Sequence, residues 1–593
     1  MNQLIADYIA RFSIQPSRTF DTFFTQFNVQ EYEQKLPYLF DIDKFCDRLK
    51  KAMDLGEKVC IYSDYDTDAI TATATMYWGL IELGVKPEKL DFYAPDRFIE
   101  GYGMNPEAAL ELSKKYDLVI SVDCGINSVS EAKVFKSSSC DLIITDHHQL
   151  TGEVPDCVAV INPRLSQVYT DRRQENIEYL SSSVTGVGVA WFSLVWLAYD
   201  LEKASLNTEY ASKRKNLNRL LPFVAIGTIA DCQSVLEPTN RLLVRSGLSI
   251  LQSGKYFNNG LSELFRQTGL QEKMMQGYRL TSQDLGYTFS PILNSSGRIS
   301  HARLSISVLL SSDAQKTKSL VEELIETNNQ RKLMVKDILQ GVESEAQNQV
   351  DQGAGVIWLE GNWNKGIIGL LASRLVNEYD VPVVITSEED GKVVASSRAP
   401  EGYNLPDAMK ENQALYDKSG GHPGAAGFSA NPKNLTNIKQ TLVASLTAQG
   451  GKISQQPSDN HMAMSLPAEI QKTACLKETL IIEENQLTIE LLSEIMNLDP
   501  FGQDFPFPKL LFRCTIKSFR WLGIDNKHLK LSLSSGQSVT CFNIEEDIKS
   551  LFIKESNPAS VSISLWLLAK ISQNTWNNKT NLDLICEKIW IAT

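Results

Sequence analysis

The sequence holds no C-x-x-C pair: its ten cysteines stand singly, so free thiols in a reducing cytoplasm are expected rather than a disulfide framework. A secretory signal is not expected, because Asp7 and Arg11 interrupt the N-terminal apolar stretch. Positive charge is scarce, with 58 Lys and Arg against 71 Asp and Glu and a formal net charge of −13. That balance excludes a uniformly basic nucleic-acid coat and leaves room only for a local positive groove over a phosphate track. No repeat of solenoid period is present. One uncharged stretch, residues 180–199, bears on membrane insertion, but it opens on Ser, Thr and Gly, and its apolar part at 187–199 is short for a bilayer. It is expected to be a buried helix with Thr185 or Gly186 near its start, and no membrane association is expected.

What is present is the composition of a soluble globular protein, 43% hydrophobic and 22% charged, on a chain of 593 residues that one core cannot serve. Two to four domains are expected. Between residues 57 and 231 short apolar runs repeatedly lead directly into an acid: KVCIYSDYDTD, DLVISVDCGI, DLIITDHHQ and PFVAIGTIADC. Helix-compatible stretches separate the first three, which is the alternation of βαβ units and a parallel sheet. The fourth run is equally compatible with a helix. In open α/β sheets ligands bind outside the carboxyl ends of the strands, so three acid clusters should converge there.

Residues 314–350 are polar and free of Pro, with Leu320, Leu324, Leu333 and Ile338 roughly at helical spacing, and predict a long connecting helix. A second α/β segment follows from Gly355 to about Ala448 and closes on SGGHPGAAGFS. Residues 450–460 read as a linker. Beyond them a helical stretch ends near Leu498, and LLFRCTI, HLKLSLS, SVTCFN and SVSISLWLLAKI predict a small β barrel. Lys509, Arg513, Lys517, Arg520, Lys527 and Lys530 there face one acid, Asp525, and are interleaved with Phe512, Phe519 and Trp521. Cations that track a backbone and aromatic faces that stack bases suit a single strand, although such aromatics are more often barrel core.

Asp64, Asp66 and Asp68 alternate at the end of an apolar run, so like charges crowd a small space unless a cation balances them. Asp123, His147, His148 and Asp231 extend this to an oxygen-rich set with imidazoles. Such a donor mix suits Mn²⁺ or Mg²⁺ better than a thiolate zinc site, and two ions could serve phosphoryl displacement. Singly, each Asp has a plainer reading as a helix cap and the His pair as a surface feature. Four such places in this order, each behind an apolar run, are hard to assign to capping alone.

D-Y-D-T-D, V-D-C-G, D-H-H and A-D-C resemble, in order, the four motifs of the DHH phosphoesterases. The segments PDRFIEGYG, TGVGVA, LNSSGR, GNWNKGIIGLLASRL, SSRAPEGYNL, GGHPGAAGF and DPFGQDFP are further similar to the RecJ family within that superfamily. The pattern of the residues gives a helical segment at 1–50 and a connecting helix at 314–350, and the resemblance, from about residue 35 onward, implies an α/β fold with a parallel-sheet DHH domain at 51–313, an α/β DHHA1 domain at 351–450, and a helical linker with an OB-fold barrel at 451–593. It also implies a 5′ to 3′ exonuclease of single-stranded DNA serving recombination and repair in the cytoplasm. The chain would be a monomer with two Mn²⁺ or Mg²⁺ ions, working with a single-strand-binding protein and a helicase.

Residue by residue, the same resemblance assigns Asp66, Asp68, Asp123, His147 and Asp231 to the metals, with Asp123 bridging. Asp64 would lie beside the metals, and His148 and Arg298 would contact the scissile phosphate. Arg97, Ser396 and Arg398 would hold the 5′ phosphate, with Gly420, Gly421 and His422 in a Gly-rich turn approaching the nucleotide. The chain departs from the family's usual pattern at Ala69 (Gly), Asn364 (often His) and Ser397 (Gly). Two other readings are a DHH hydrolase of oligonucleotides or small nucleotides, which usually lacks the C-terminal barrel, and an inactive DHH scaffold, which loses ligands that are all present in this chain.

Overall fold

The computed structural model describes residues 3–12, 36–101, 103–169, 179–205, 208–389, 391–450, 466–467, 470, 476–523, 527–553, 563–576 and 579–592. The apolar runs become strands β1 (Val59–Tyr62), β2 (Leu90–Tyr93), β3 (Leu118–Val122), β4 (Asp141–Thr145) and β5 (Ala159–Ile161). β1 and β3 are buried along their whole length, as central strands covered by helices on both faces must be. The sheet order is β2-β1-β3-β4-β5 with every pair parallel. The chain steps from β1 to β2 on one side and returns to β3 on the other. The crevice between the carboxyl ends of β1 and β3 is therefore the topological switch point.

Helix Thr67–Leu83 packs against helices Gly186–Ser205 and Leu221–Ala230. The uncharged stretch at 180–199 thus enters a buried helix that starts at Gly186. No helix among the described residues is long and apolar enough to cross a membrane. The fourth apolar run, PFVAIGTIADC, is helical as far as Ala230, and its residues from Pro222 to Thr228 are all buried, so it shows none of the one-sided pattern that marks a surface helix.

Helix Ala314–Asp351 begins where Asp313 accepts a hydrogen bond from the Lys316 N–H at 2.7 Å. Val321 and Leu324 on its first half belong to the core of the first domain, and Val335, Leu339, Val342 and Ala346 on its second half to the core of the next. Leu333, expected in the buried stripe, is 59% exposed, because it stands where the helix passes from one core to the other.

The second sheet comprises β6 (Ile357–Gly361), β7 (Val383–Glu389), β8 (Lys392–Arg398), β9 (Lys418–His422) and β10 (Ala425–Ala430), in the order β6-β7-β8-β10-β9. Helix Ile368–Tyr379 makes the crossover between the parallel β6 and β7, and the remaining pairs are antiparallel. The third sheet contains β11 (Thr479–Glu483), β12 (Lys509–Leu522), β13 (His528–Leu533), β14 (Ser538–Cys541), β15 (Ile563–Trp576) and β16 (Lys579–Ile591). β12 pairs with β15 and closes β12-β13-β14-β16-β15 into a five-stranded barrel with β11 on its edge. Beyond Gly450, the expected linker at 450–460 lies outside the described residues.

The N-terminal helix Gln3–Ala10 packs with the barrel: Ile5, Tyr8, Ile9 and Phe12 share its core, and the Tyr8 hydroxyl donates to the Pro506 carbonyl at 2.7 Å. The barrel module is in turn clasped to the first domain. Arg241, buried, donates to the carbonyls of Pro500 and Leu498, and the Ser282 hydroxyl and Asp499 carboxylate pair at 2.8 Å. A buried guanidinium whose donors meet carbonyls of a distant segment ties the two units together.

Candidate active site

Each acid of the site stands where a strand or helix ends. Asp64 lies two residues past β1, Asp123 directly past β3, and Asp146 directly past β4, so all three gather at the switch-point crevice. Asp231 follows helix Leu221–Ala230. Asp66 caps helix Thr67–Leu83 by accepting from the Ala69 N–H at 3.0 Å, so the plain capping role and a place in the acid cluster coincide in this residue. Asp123 holds a left-handed backbone (φ 58°), a conformation Asp tolerates better than most residues and one that collects at functional sites.

The side chains converge on the His147 ring. Its Nε2 lies 3.1 Å from Asp123 Oδ1, 3.7 Å from Asp231 Oδ2 and 3.9 Å from Asp68 Oδ2. Ligand atoms about 2.1 Å from a shared ion and at right angles are about 3 Å apart, so this spacing suits a common cation. Asp123 with His147 and His148, and Asp68 with His147 and Asp231, form two groups whose donor atoms lie within 4.8 Å of one another. Asp64 and Asp66 are in neither group, although the Asp66 charge acts on Asp64, Asp68, Asp123 and Asp231.

Asp123 Oδ1, Asp64 Oδ1 and both His147 ring nitrogens are buried without a hydrogen-bond partner, an arrangement that water or a cation must satisfy. Burial first, then the Asp231 and Asp66 charges, hold the Asp68 carboxyl well above the usual range. Burial and the Asp68 charge do the same to Asp123, and burial and the Asp66 charge to Asp64. Asp231 is pushed up to about 6 by burial and then by Asp66. Burial, then His148, pushes His147 down to about 3, so its imidazole is neutral and offers a lone pair. Four carboxyls that resist ionisation around a neutral imidazole are the surroundings of a cation, whose charge would reverse the carboxyl shifts and keep the imidazole neutral.

Asp146 organises the histidine turn. Its Oδ1 accepts from the His147 and His148 N–H groups at 2.7 and 3.0 Å and from His148 Nδ1–H at 2.8 Å, while its Oδ2 accepts from Ile126 N–H at 2.9 Å. Burial pushes the His148 imidazolium down, but the Asp146 hydrogen bond and charge outweigh it and carry the group up to about 9. Asp68 is held by the start of helix Gly186–Ser205, its oxygens accepting from Gly186 N–H at 2.8 Å and Val187 N–H at 3.1 Å. A side chain at Gly186 would run into the Asp123 carboxylate, which is why the backbone can come this close only at glycine. Gln233 donates to Asp231 Oδ2 at 2.9 Å. Asp146 is part of a legible motif and Gly186 is legible as a helix start, whereas the close approach of Gly186 to Asp123 and the role of Gln233 carry no signal in the sequence.

Across the crevice stand the cations. The Arg97 guanidinium lies 4.6 Å from the Tyr65 ring centre, and Arg298 Nη1 donates to the Gly366 carbonyl of the second domain at 3.2 Å. Arg398 Nη1 donates to Ser396 Oγ at 3.1 Å, both beside Gly369 in the first turn of helix Ile368–Tyr379. Burial first, then the charges of Arg97, Arg331 and Arg398, push Arg298 down to about 10. Arg97, Arg298 and Arg398, from two domains, thus form one positive patch that calls for an anion. Gly420, Gly421 and His422 lie in the exposed edge strand β9 rather than in a turn; the turn is at Pro423 and Gly424. Gly421 sits so close to Ala425 and Ala426 that a side chain would clash, and the pair of glycines leaves the strand's edge bare. Ser397 points away from the patch into the core, as strand alternation requires.

In the barrel, Phe512 and Phe519 are core and cannot stack bases, while Trp521 is half-buried and packs edge-on against Phe519. Arg513, Lys517, Arg520 and Lys527 remain exposed, while Lys509 pairs with Glu587.

Family models described as the DHH family N-terminal domain, the DHHA1 domain and the RecJ OB domain match residues 58–228, 351–448 and 480–588. The single-stranded-DNA-specific exonuclease RecJ of Bacillus subtilis is 30% identical over 547 residues, 91% of this chain. The protein of the same name from Salmonella typhimurium is 27% identical over 93% of this chain. The chain belongs to the RecJ family. It spans 62% of the Bacillus relative's length and 90% of the Salmonella relative's. The crystal structure of RecJ from Thermus thermophilus in complex with Mn²⁺ superposes with a TM-score of 0.69 at 23% identity, covering 94% of this chain and 72% of that one. Another structure, exonuclease RecJ bound to manganese, has a TM-score of 0.55 at 25% identity over 74% of this chain and 98% of its own. The parallel sheet, connecting helix, second α/β domain and barrel are therefore the RecJ plan.

The shifts predict a pH signature for the metal-free protein. His148 and the buried carboxyls have folded-state pKa values above their unfolded ones, so the stability they contribute is complete below the unfolded pKa and is lost as pH rises through the folded one. Between pH 6.5, the ordinary His value, and about 9, the melting temperature in EDTA should fall steadily, and Mn²⁺ should raise it most at the alkaline end. Scanning fluorimetry across that window checks this; an unchanged or rising melting temperature would contradict the electrostatic description of the cluster.

Proposed function

We propose that this chain is a metal-dependent exonuclease that hydrolyses single-stranded DNA from the 5′ end and releases mononucleotides, in the service of recombination and repair. The observation that carries this reading is the convergence of Asp68, Asp123 and Asp231 on a neutral His147 in the same crevice as an arginine patch shared by two domains. Asp66, Asp68, Asp123, His147 and Asp231 would hold two Mn²⁺ or Mg²⁺ ions, with Asp123 between them. When bound, such ions activate water and hold both oxygens of an in-line phosphoryl displacement.

The protein's own groups do the rest. His148, kept protonated by Asp146, offers a positive hydrogen-bond donor to the scissile phosphate, and Asp64 lines the floor of the crevice. Arg298 presents a guanidinium fork to the same phosphate. Arg97, Ser396 and Arg398 hold the terminal 5′ phosphate, with the start of helix Ile368–Tyr379 behind them. The bare edge of β9 at Gly420, Gly421 and His422 lies along the nucleotide. The exposed cations of the barrel track the strand beyond the site. The nine described cysteines are all free, which supports a cytoplasmic setting, where a single-strand-binding protein and a helicase would supply strands to a monomeric enzyme.

Polarity is the finest part of the reading and has its own test. Strands blocked at the 5′ end, at the 3′ end or at neither are incubated with protein and Mn²⁺. Resistance of the 5′-blocked strand alone is expected, and equal degradation of both blocked strands would overturn the polarity.

A further inference from the structure

Two consecutive residues of the second domain, Lys365 and Gly366, touch the two first-domain segments that carry Arg97 and Arg298, and Asn364 before them shapes their turn. The Gly366 carbonyl accepts from Arg298 Nη1 at 3.2 Å. The backbones meet so closely that a side chain on Gly366 would collide with the main chain of Arg298. Lys365 Nζ donates to the carbonyl of Phe98, the residue after Arg97, at 2.8 Å, and lies 5.5 Å from the Phe98 ring centre. Asn364 sets the shape of the turn: its Oδ1 accepts from the Gly366 N–H at 2.8 Å, and its carbonyl accepts from the Ile367 N–H at 3.0 Å.

The segment around Arg97 is braced for such a contact. Asp96 Oδ1 accepts from the Phe98 N–H at 2.7 Å, the Asp96 N–H donates to Glu100 Oε1 at 2.7 Å, and the Tyr93 hydroxyl donates to Glu100 Oε2 at 2.8 Å. A pull on the Phe98 carbonyl therefore moves Arg97 as part of one small rigid unit. Arg298, at the end of helix Ser290–Ile299, is anchored by the turn itself.

We propose that the 364–366 turn is a positioning element that aligns both arginines from across the cleft, Asn364 acting on Arg298 through Gly366 and Lys365 acting on Arg97 through Phe98. Neither Asn364 nor Lys365 touches substrate in this scheme. The two residues serve different arginines, so their losses separate kinetically. An arginine on the scissile phosphate acts as charge develops and governs kcat, whereas one on the terminal phosphate acts in binding and governs KM. The roles of the arginines rest on the function proposed above; the clasp adds that the second domain sets their positions.

The test compares Asn364→Ala, Asn364→Asp, Lys365→Ala and Lys365→Arg with the unaltered full chain on a 5′-phosphorylated single strand with Mn²⁺. Binding of 5′-phosphorylated and 5′-hydroxyl strands is measured alongside in EDTA, where no turnover is needed. Asn364→Ala should lower kcat about 10- to 100-fold with KM little changed, and Asn364→Asp, which keeps the acceptor, should recover most of it. Lys365→Ala should raise KM about 10-fold and weaken binding of the phosphorylated strand but not the hydroxyl one, and Lys365→Arg, which keeps the donor, should recover it. Variants that match the unaltered chain in kcat, KM and end discrimination would overturn the clasp while leaving the nuclease reading intact. An unaltered chain that binds the phosphorylated strand but does not cut it would overturn the nuclease reading, and the binding arm would still decide on Lys365. Equal loss of kcat and of hydroxyl-strand binding in both alanine variants would mark a merely structural turn and overturn the proposal.

Discussion

Asp123→Ala should lower kcat by about 10³-fold or more while single-strand binding changes by less than about 3-fold. Asp123 is the acid nearest His147 Nε2, at 3.1 Å, belongs to one of the two donor groups and, in the function proposed above, is the carboxylate that serves both ions. In the proposed function the strand is held elsewhere, by Arg97, Arg298, Arg398 and the exposed cations of the barrel, and the contacts that place Arg298 and Arg398 run to Gly366 and Ser396 rather than to Asp123. The protein should also survive the change. Removing one of several mutually repelling buried carboxyls relieves strain in the metal-free state, so its melting temperature in EDTA should equal or exceed that of the unaltered chain. Alanine tolerates the left-handed backbone at this position less well, at about 1 kcal/mol, and Asp123→Asn provides the matched control. Kinetics, strand binding and melting measured together check the pattern; substantial residual cleavage would mean that the metal centre lies elsewhere.

Gly186→Ala should be nearly as damaging, although the residue carries no functional group. A methyl group there would occupy the space of the Asp123 carboxylate, while the backbone N–H beside it holds Asp68 at 2.8 Å. Either the carboxylate or the helix start must move, and each displaces a donor of the site. Mn²⁺ affinity should fall about 10- to 100-fold by titration calorimetry, with kcat/KM falling in step and a stability loss of about 1–3 kcal/mol. Gly341→Ala is the contrasting control, since nothing lies within 4 Å of a side chain there and a mid-helix alanine should stabilise by up to about 1 kcal/mol. Unchanged Mn²⁺ affinity in Gly186→Ala would contradict the close packing described for the crevice.

Much of this site was legible because parallel-sheet physics writes acids at strand ends. Apolar runs that end in Asp64, Asp123 and Asp146 predicted where ligands gather, and the crowding of carboxylates predicted a cation. The helical form of PFVAIGTIADC is not legible, since a short, wholly apolar run has no periodicity to separate a buried helix from a buried strand. Leu333 follows the helical spacing yet is exposed, because the helix serves two cores in turn and no single stripe runs its length. Phe512 and Phe519 look the same in sequence whether a barrel face points inward or outward, and here it points inward. Contacts between distant segments, such as Gly186 on Asp123, Gly366 on Arg298 or the N-terminal helix on the barrel, leave no local pattern at all. A glycine chosen for close approach has the same letter as one chosen for a turn.

The claim that joins these observations is that the crevice is a metal-dependent site for a polymeric single strand. Its most direct measurement is the product spectrum of the purified chain with Mn²⁺ and with EDTA, offered single-stranded DNA, duplex DNA, RNA and dinucleotides side by side. Progressive release of mononucleotides from the DNA single strand, abolished by EDTA and much slower on the duplex, is the predicted result. Faster turnover of dinucleotides than of the strand, or cleavage that persists in EDTA, would contradict it.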